Sequence, residues 1–170
     1  AKAVQPRIVL LGRSPLIDEP EIVRGLKDGP EMKKALLEAA KVEGRPLTPA
    51  ELGRQVNQIN AAREVRDTLR SLRRAGSEAL YLEIDVRDEG ALKAGLGPIR
   101  EAWGPITGLV HGAGVLADKL IAELTPDQFD RVFETKVDGL RALLAATAED
   151  PLTMICMFSS IAARTGNQGQ

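Results

Sequence analysis

From Ile106 to Ser160 the chain runs strand, glycine turn, helix, strand and polar loop, an order that argues for a parallel sheet. Ile106 to His111 reads as a short aliphatic strand closed by Gly112-Ala113-Gly114. Thr125-Pro126-Asp127-Gln128 then combines a hydroxyl N-cap, a proline at the first helical position and an amide three residues after the cap. Phe129, Val132, Phe133, Val137, Leu140, Leu143 and Leu144 follow at helical spacing and mark the expected buried stripe. Leu152 to Phe158 is a continuous apolar run between Pro151 and Ser159-Ser160, the pattern of a central parallel strand covered on both faces.

The same alternation extends towards the N-terminus. Arg7 to Leu11 is a short strand ended by Gly12, and Ala79 to Val86 is a second one. Asp88 to Trp103 reads as a helix weakened by Gly90, Gly95, Gly97 and Pro98. Between the first two strands, Pro15, Pro20, Gly25, Gly29 and Pro30 predict irregular chain, and Glu31 to Val42 predicts a helix. Thr48-Pro49-Ala50-Glu51 is a capping box opening a long helix. Its apolar positions are Leu52, Val56, Ile59, Ala62, Val65, Leu69 and Leu72, with arginines on the opposite face. Alone, residues 31–76 could pass for a helical hairpin, but the strands on both sides make them an insertion in an α/β domain.

Composition limits the function classes. With 170 residues and 44% hydrophobic content, the chain can bury one sizeable core, one domain or a large piece of one. Twenty-three basic residues against 24 acidic ones leave a formal charge of −1, so no global field draws nucleic acid or an anionic membrane. The single cysteine, Cys156, lies in an apolar run and reads as a small buried residue of a reducing compartment. It allows neither a disulfide framework nor a Cys/His metal cluster. No apolar run nears the roughly 18 residues that span a bilayer, and the expected location is cytoplasmic.

In open parallel sheets ligands bind past the carboxyl ends of the strands. The residues there are Gly12-Arg13-Ser14, Asp85-Val86, His111-Gly112-Ala113-Gly114 and Ser159-Ser160. A turn without side chains admits a ribose and pyrophosphate closely, and a guanidinium pairs with a phosphate. Taken singly, the glycine turn also reads as a tight turn, Arg13 as a solvated charge and Asp85 as a helix cap. By its position at a strand end, His111 reads as a maker of structural hydrogen bonds. Lys136, near an apolar stripe, reads on its own as a lysine whose ammonium snorkels to solvent.

The stretches GLVHGAGVLADKLI, QFDRVFETKVDGL and FSSIAARTGNQGQ resemble the ketoreductase domains of polyketide and polyunsaturated-fatty-acid synthases, within the short-chain dehydrogenase/reductase superfamily. The resemblance is close over residues 79–170 and looser over 7–14. It implies a Rossmann-like, doubly wound parallel sheet, truncated, with a helical insertion at about 15–78. NADPH is the implied cofactor, with Arg13 at its 2′-phosphate, Gly12 and Ser14 beside it in the cofactor-binding set, Asp85 and Val86 flanking the adenine, and His111 and Gly112 to Gly114 beside its path. Lys136, in its ETKVDG context, becomes a catalytic lysine acting electrostatically, and Ser160 a donor to the substrate ketone. Asp118, in Leu116-Ala117-Asp118, resembles the aspartate of a loop that sets alcohol configuration.

The implied activity is reduction of a 3-ketoacyl thioester on the phosphopantetheine of an acyl carrier protein, beside other domains of a megasynthase. A non-catalytic reductase-like docking element is the alternative. A stand-alone dehydrogenase is disfavoured, because in ordinary members of the superfamily asparagine usually occupies the helix of Lys136. The family's first strand and glycine loop would precede Ala1, and its tyrosine acid would fall about thirteen residues beyond Ser160. Residues 1–170 are therefore expected to be a partial domain, inactive in isolation.

Overall fold

The computed structural model describes residues 3–166. It forms two compact units, Ala1–Glu83 and Ile84–Gln170, each built around one parallel strand pair.

In the first unit, β1 (Ile8–Gly12) pairs in parallel with β2 (Ala79–Glu83), Leu10 opposite Tyr81 and Gly12 opposite Glu83. The connection carries α1 (Gly29–Val42) and α2 (Pro49–Arg74). The cap of α2 forms as its residues predict: the Glu51 amide donates to the Thr48 hydroxyl, and the Thr48 amide donates to the Glu51 carboxylate. Those two bonds satisfy amides that the first helical turn leaves without partners. Val23, Met32, Leu36, Leu52, Val56 and Ile59 make the core of this unit, so the insertion supplies its own apolar centre. Arg63 departs from the solvated arginine face expected of α2: it donates to the carbonyls of Leu26 at 2.6 Å and Val23 at 2.8 Å and pairs with Glu19. A carbonyl-rich loop that folds over a helix needs such a donor.

In the second unit, α3 (Glu89–Trp103) precedes β3 (Gly108–His111), which pairs in parallel with β4 (Met154–Met157), His111 opposite Met157. Asp88 caps α3 by accepting from the Ala91 amide at 2.8 Å. The helix runs on through Pro98 because Leu92, Leu96 and Ile99 bury one face. Between the strands, α4 (Pro126–Phe133) passes into a π turn (Glu134–Asp138) and then α5 (Gly139–Ala146). A last helical turn, α6, spans Ala162–Thr165.

The π turn corrects the stripe read from the sequence. Its hydrogen bonds run from i to i+5, so it inserts a residue and rotates the face that follows. The buried set becomes Thr135, Gly139, Ala142, Leu143 and Ala146, whereas Phe129 and Phe133 stack on each other at 5.8 Å on the exposed side. A second correction concerns β4, all four of whose residues are exposed, Cys156 included. An apolar strand reports suitability for cover on both faces, and its actual burial depends on layers that its own residues do not specify.

Candidate functional site

Lys136 lies in the middle of the π turn, and three contacts fix that turn. His111, the last residue of β3 and only 7% exposed, donates from Nε2 to the Lys136 carbonyl at 2.9 Å. The acceptor is a carbonyl, so the proton resides on Nε2. A widened turn opens the helical ladder enough for a side-chain donor to reach a carbonyl within it. From the segment after β2, Arg87 joins the Asp85 carboxylate (Nη2 at 2.9 Å) to that of Glu134, the first residue of the turn, at 2.6 Å. The Asp85 carboxylate foremost, with Glu134, raises the Arg87 pKa. Val86 makes the third contact: a Cβ on Gly139 would lie 2.8 Å from Val86 Cγ1 and 3.5 Å from His111 Cε1. Only glycine lets the start of α5 approach this closely.

Beyond β3 the chain turns through Gly112, Ala113 and Gly114, all exposed. A Cβ on Gly114 would lie 3.6 Å from Lys136 Cε and 3.8 Å from Nζ, so the lysine stem runs over that glycine and its charged end reaches solvent. A Cβ on Gly112 would meet the Phe158 ring at 3.6 Å. The Phe158 amide donates to the His111 carbonyl at 3.0 Å and continues the β3–β4 ladder into this turn.

The second unit thus brings Asp85, Val86, His111, Gly114 and Lys136 together. Ser160 is exposed past β4, and its hydroxyl accepts from the Ala162 amide at 3.2 Å, two residues on. Asp118 is exposed on the irregular chain after the glycine turn. The other three residues expected at the cofactor belong to the first unit. Gly12 ends β1, Arg13 is exposed, and the Ser14 carbonyl accepts from the Tyr81 hydroxyl at 2.7 Å. Reading the sequence alone missed Arg87, Glu134 and Tyr81. The charged run Asp85-Val86-Arg87-Asp88-Glu89 after a strand was the available signal for the first.

Asp85, Arg87, Asp88, Glu89, Glu134 and Asp138 line an open depression beside the π turn. Five carboxylates against one guanidinium make it unsuited to a phosphate.

The family model for the KR domain matches residues 2–170. A polyunsaturated fatty acid synthase polypeptide of Thraustochytrium sp. is 35% identical over 96% of the chain, which spans 6% of that protein. The phenolphthiocerol synthesis polyketide synthase Pks15/1 of Mycobacterium marinum is 39% identical over 58% of the chain and 5% of its own length. Among solved structures, an N-terminal ketoreductase from the macrolactin assembly line superposes with a TM-score of 0.60 at 35% identity, over 64% of this chain and 22% of that one. A ketoreductase domain from the bacillaene assembly line gives 0.60 at 25% identity, over 98% and 36%.

Proposed function

The chain belongs to the KR domain family, and on that premise we propose that it takes part in NADPH-dependent reduction of a 3-ketoacyl thioester carried by an acyl carrier protein of a multidomain synthase. The observation that carries this reading is Lys136, held on a π turn by His111 with its stem across Gly114. A surface lysine with no task needs neither the turn nor a buried histidine bonded to its backbone.

The residues fit the cofactor. Side chains at 112 and 114 would fill the space over Phe158 and Lys136, and the exposed Arg13 offers the fork geometry that a phosphate accepts. NADPH would supply the hydride. Arg13 would hold the 2′-phosphate, and Gly112 to Gly114 would admit the cofactor backbone. The Lys136 ammonium would stabilise negative charge that develops beside the nicotinamide ribose. Ser160 would turn its hydroxyl to the ketone oxygen and donate to the alkoxide developing there, and the proton would come from the family's tyrosine acid, expected about thirteen residues beyond Ser160. Tyr81 is not a proton donor, because its hydroxyl is committed to the Ser14 carbonyl in the first unit.

The test is NADPH oxidation by the full-length protein with a β-ketoacyl thioester surrogate, alongside Lys136→Ala. Turnover that falls by about 100-fold in the variant is the expected result, within the usual range for a positioned catalytic group. NADPH binding without turnover in the unaltered protein would overturn it in favour of a docking element.

A further inference from the structure

Tyr81 is the only tyrosine of the chain. It stands on β2 opposite Leu10 of β1, and Gly12, two residues beyond Leu10, lies on the same face of the pleat. Its ring therefore reaches diagonally across the strand end. A Cβ on Gly12 would lie 2.8 Å from the phenol oxygen and 3.2 Å from Cε2, closer than atoms pack. The same oxygen donates to the Ser14 carbonyl at 2.7 Å. Burial raises the phenol pKa, so the hydroxyl keeps its proton and stays a donor.

These two contacts bracket Arg13. The residue before it has no side chain because the ring occupies that space, and the residue after it has its carbonyl tied to the same ring. We propose that Tyr81 is a positioning residue that sets the Gly12-Arg13-Ser14 turn, and through it the preference of this chain for a cofactor bearing a 2′-phosphate. The proposal rests on the reading of Arg13 given above and adds to it the group that aims the guanidinium. Removing the hydroxyl frees the turn while leaving the ring and the β1–β2 pairing in place. NADPH affinity then falls and NADH affinity does not.

Dissociation constants for NADPH and NADH, measured on the full-length protein by nicotinamide fluorescence, test this with Tyr81→Phe and Arg13→Ala. Tyr81→Phe should weaken NADPH binding about fivefold, the cost of one lost hydrogen bond, with NADH unchanged. Arg13→Ala should narrow the preference further. Equal weakening of both cofactors by Tyr81→Phe, or of neither, while Arg13→Ala narrows the preference, overturns the proposal and leaves the Arg13 reading standing. An Arg13→Ala protein with unaltered preference overturns both. Gly12→Ala probes the same bracket from its other side: its methyl displaces the phenol, and selective loss of NADPH affinity is again expected. Weakening of both cofactors alike by this variant counts against the proposal.

Discussion

The Nε2–H of His111 donates to the backbone carbonyl of Lys136 at 2.9 Å, which ties the end of β3 to the π turn between α4 and α5. The bond is made to main chain, so it fixes where the lysine starts and leaves its side chain free to lie over Gly114. β3 is held by its parallel pairing with β4, so the bond fixes the turn that carries Lys136 to the sheet.

Removing the donor should separate binding from chemistry. In His111→Leu the Lys136 carbonyl loses its side-chain partner and stability falls by about 1–3 kcal/mol, the cost of an unpaired buried polar group. His111→Gln places an amide N–H near the former Nε2 and should recover most of that loss. If reduction depends on Lys136, kcat falls about tenfold in His111→Leu with KM little changed, and Gln restores it. Steady-state kinetics of both variants check this, and equal activity in all three proteins would show that the anchor has no catalytic consequence.

Gly139→Ala should be costly for a steric reason that Val86 supplies. The added methyl would stand 2.8 Å from Val86 Cγ1, and overpacking of this kind costs roughly 1–3 kcal/mol. Val86→Ala in the same protein removes the obstructing methyl groups and should return part of the loss. Denaturant unfolding of the two single variants and the double variant gives the coupling energy directly. Additive effects would mean that the backbone shifts elsewhere to accommodate the methyl.

What the sequence made legible was local. Both capping boxes, at Thr48/Glu51 and Thr125/Gln128, form as predicted because every bond involved lies within three residues. Strand and helix order followed from periodicity, and GLVHGAG and ETKVDG pointed to the two segments that meet at Lys136. The π turn was not legible, since one inserted residue leaves no mark in an apolar pattern, and neither was the exposure of Phe129 and Phe133 in the helix before it. Contacts between distant residues were hidden too: Tyr81 reaching Ser14, Arg87 reaching Glu134 and Arg63 reaching Val23 all depend on which segments the fold brings together.

Arg63 offers a test within the insertion. Arg63→Met keeps the aliphatic stem and removes the donors to Val23 and Leu26, leaving two carbonyls in a partly buried loop without them. The expected loss is about 1–3 kcal/mol, chiefly at the Leu26 carbonyl, because that of Val23 keeps the Leu26 amide at 3.0 Å, and water access lessens it. Glu19 should report the same event, because its carboxyl is held below its ordinary value chiefly by the Arg63 hydrogen bond. An NMR titration should find it risen in the variant, and an unmoved Glu19 would show that the pair does not persist in solution.

Acid should act on the second unit through Asp150. This carboxylate is 3% exposed and accepts from Arg100 at 2.6 Å and from the Ile106 amide at 3.0 Å, joining α3 to the segment that precedes β3. The Arg100 hydrogen bond outweighs the effect of burial and lowers the Asp150 pKa from its ordinary 3.8. A carboxyl lowered on folding contributes stability that is complete above its unfolded value and is lost as pH falls through its folded one. The contribution is therefore intact at neutral pH and disappears only below about pH 4. Asp150→Asn should cost about 2–3 kcal/mol at pH 7, less than the ~3–5 kcal/mol for a fully buried pair, because the Arg100 side chain keeps 30% of its exposure. Thermal unfolding from pH 7 to pH 3 should show the gap between the two proteins closing as the wild type protonates. A gap that stays constant across that range would mean that Asp150 holds α3 by its shape and amide contact, and that its charge contributes nothing.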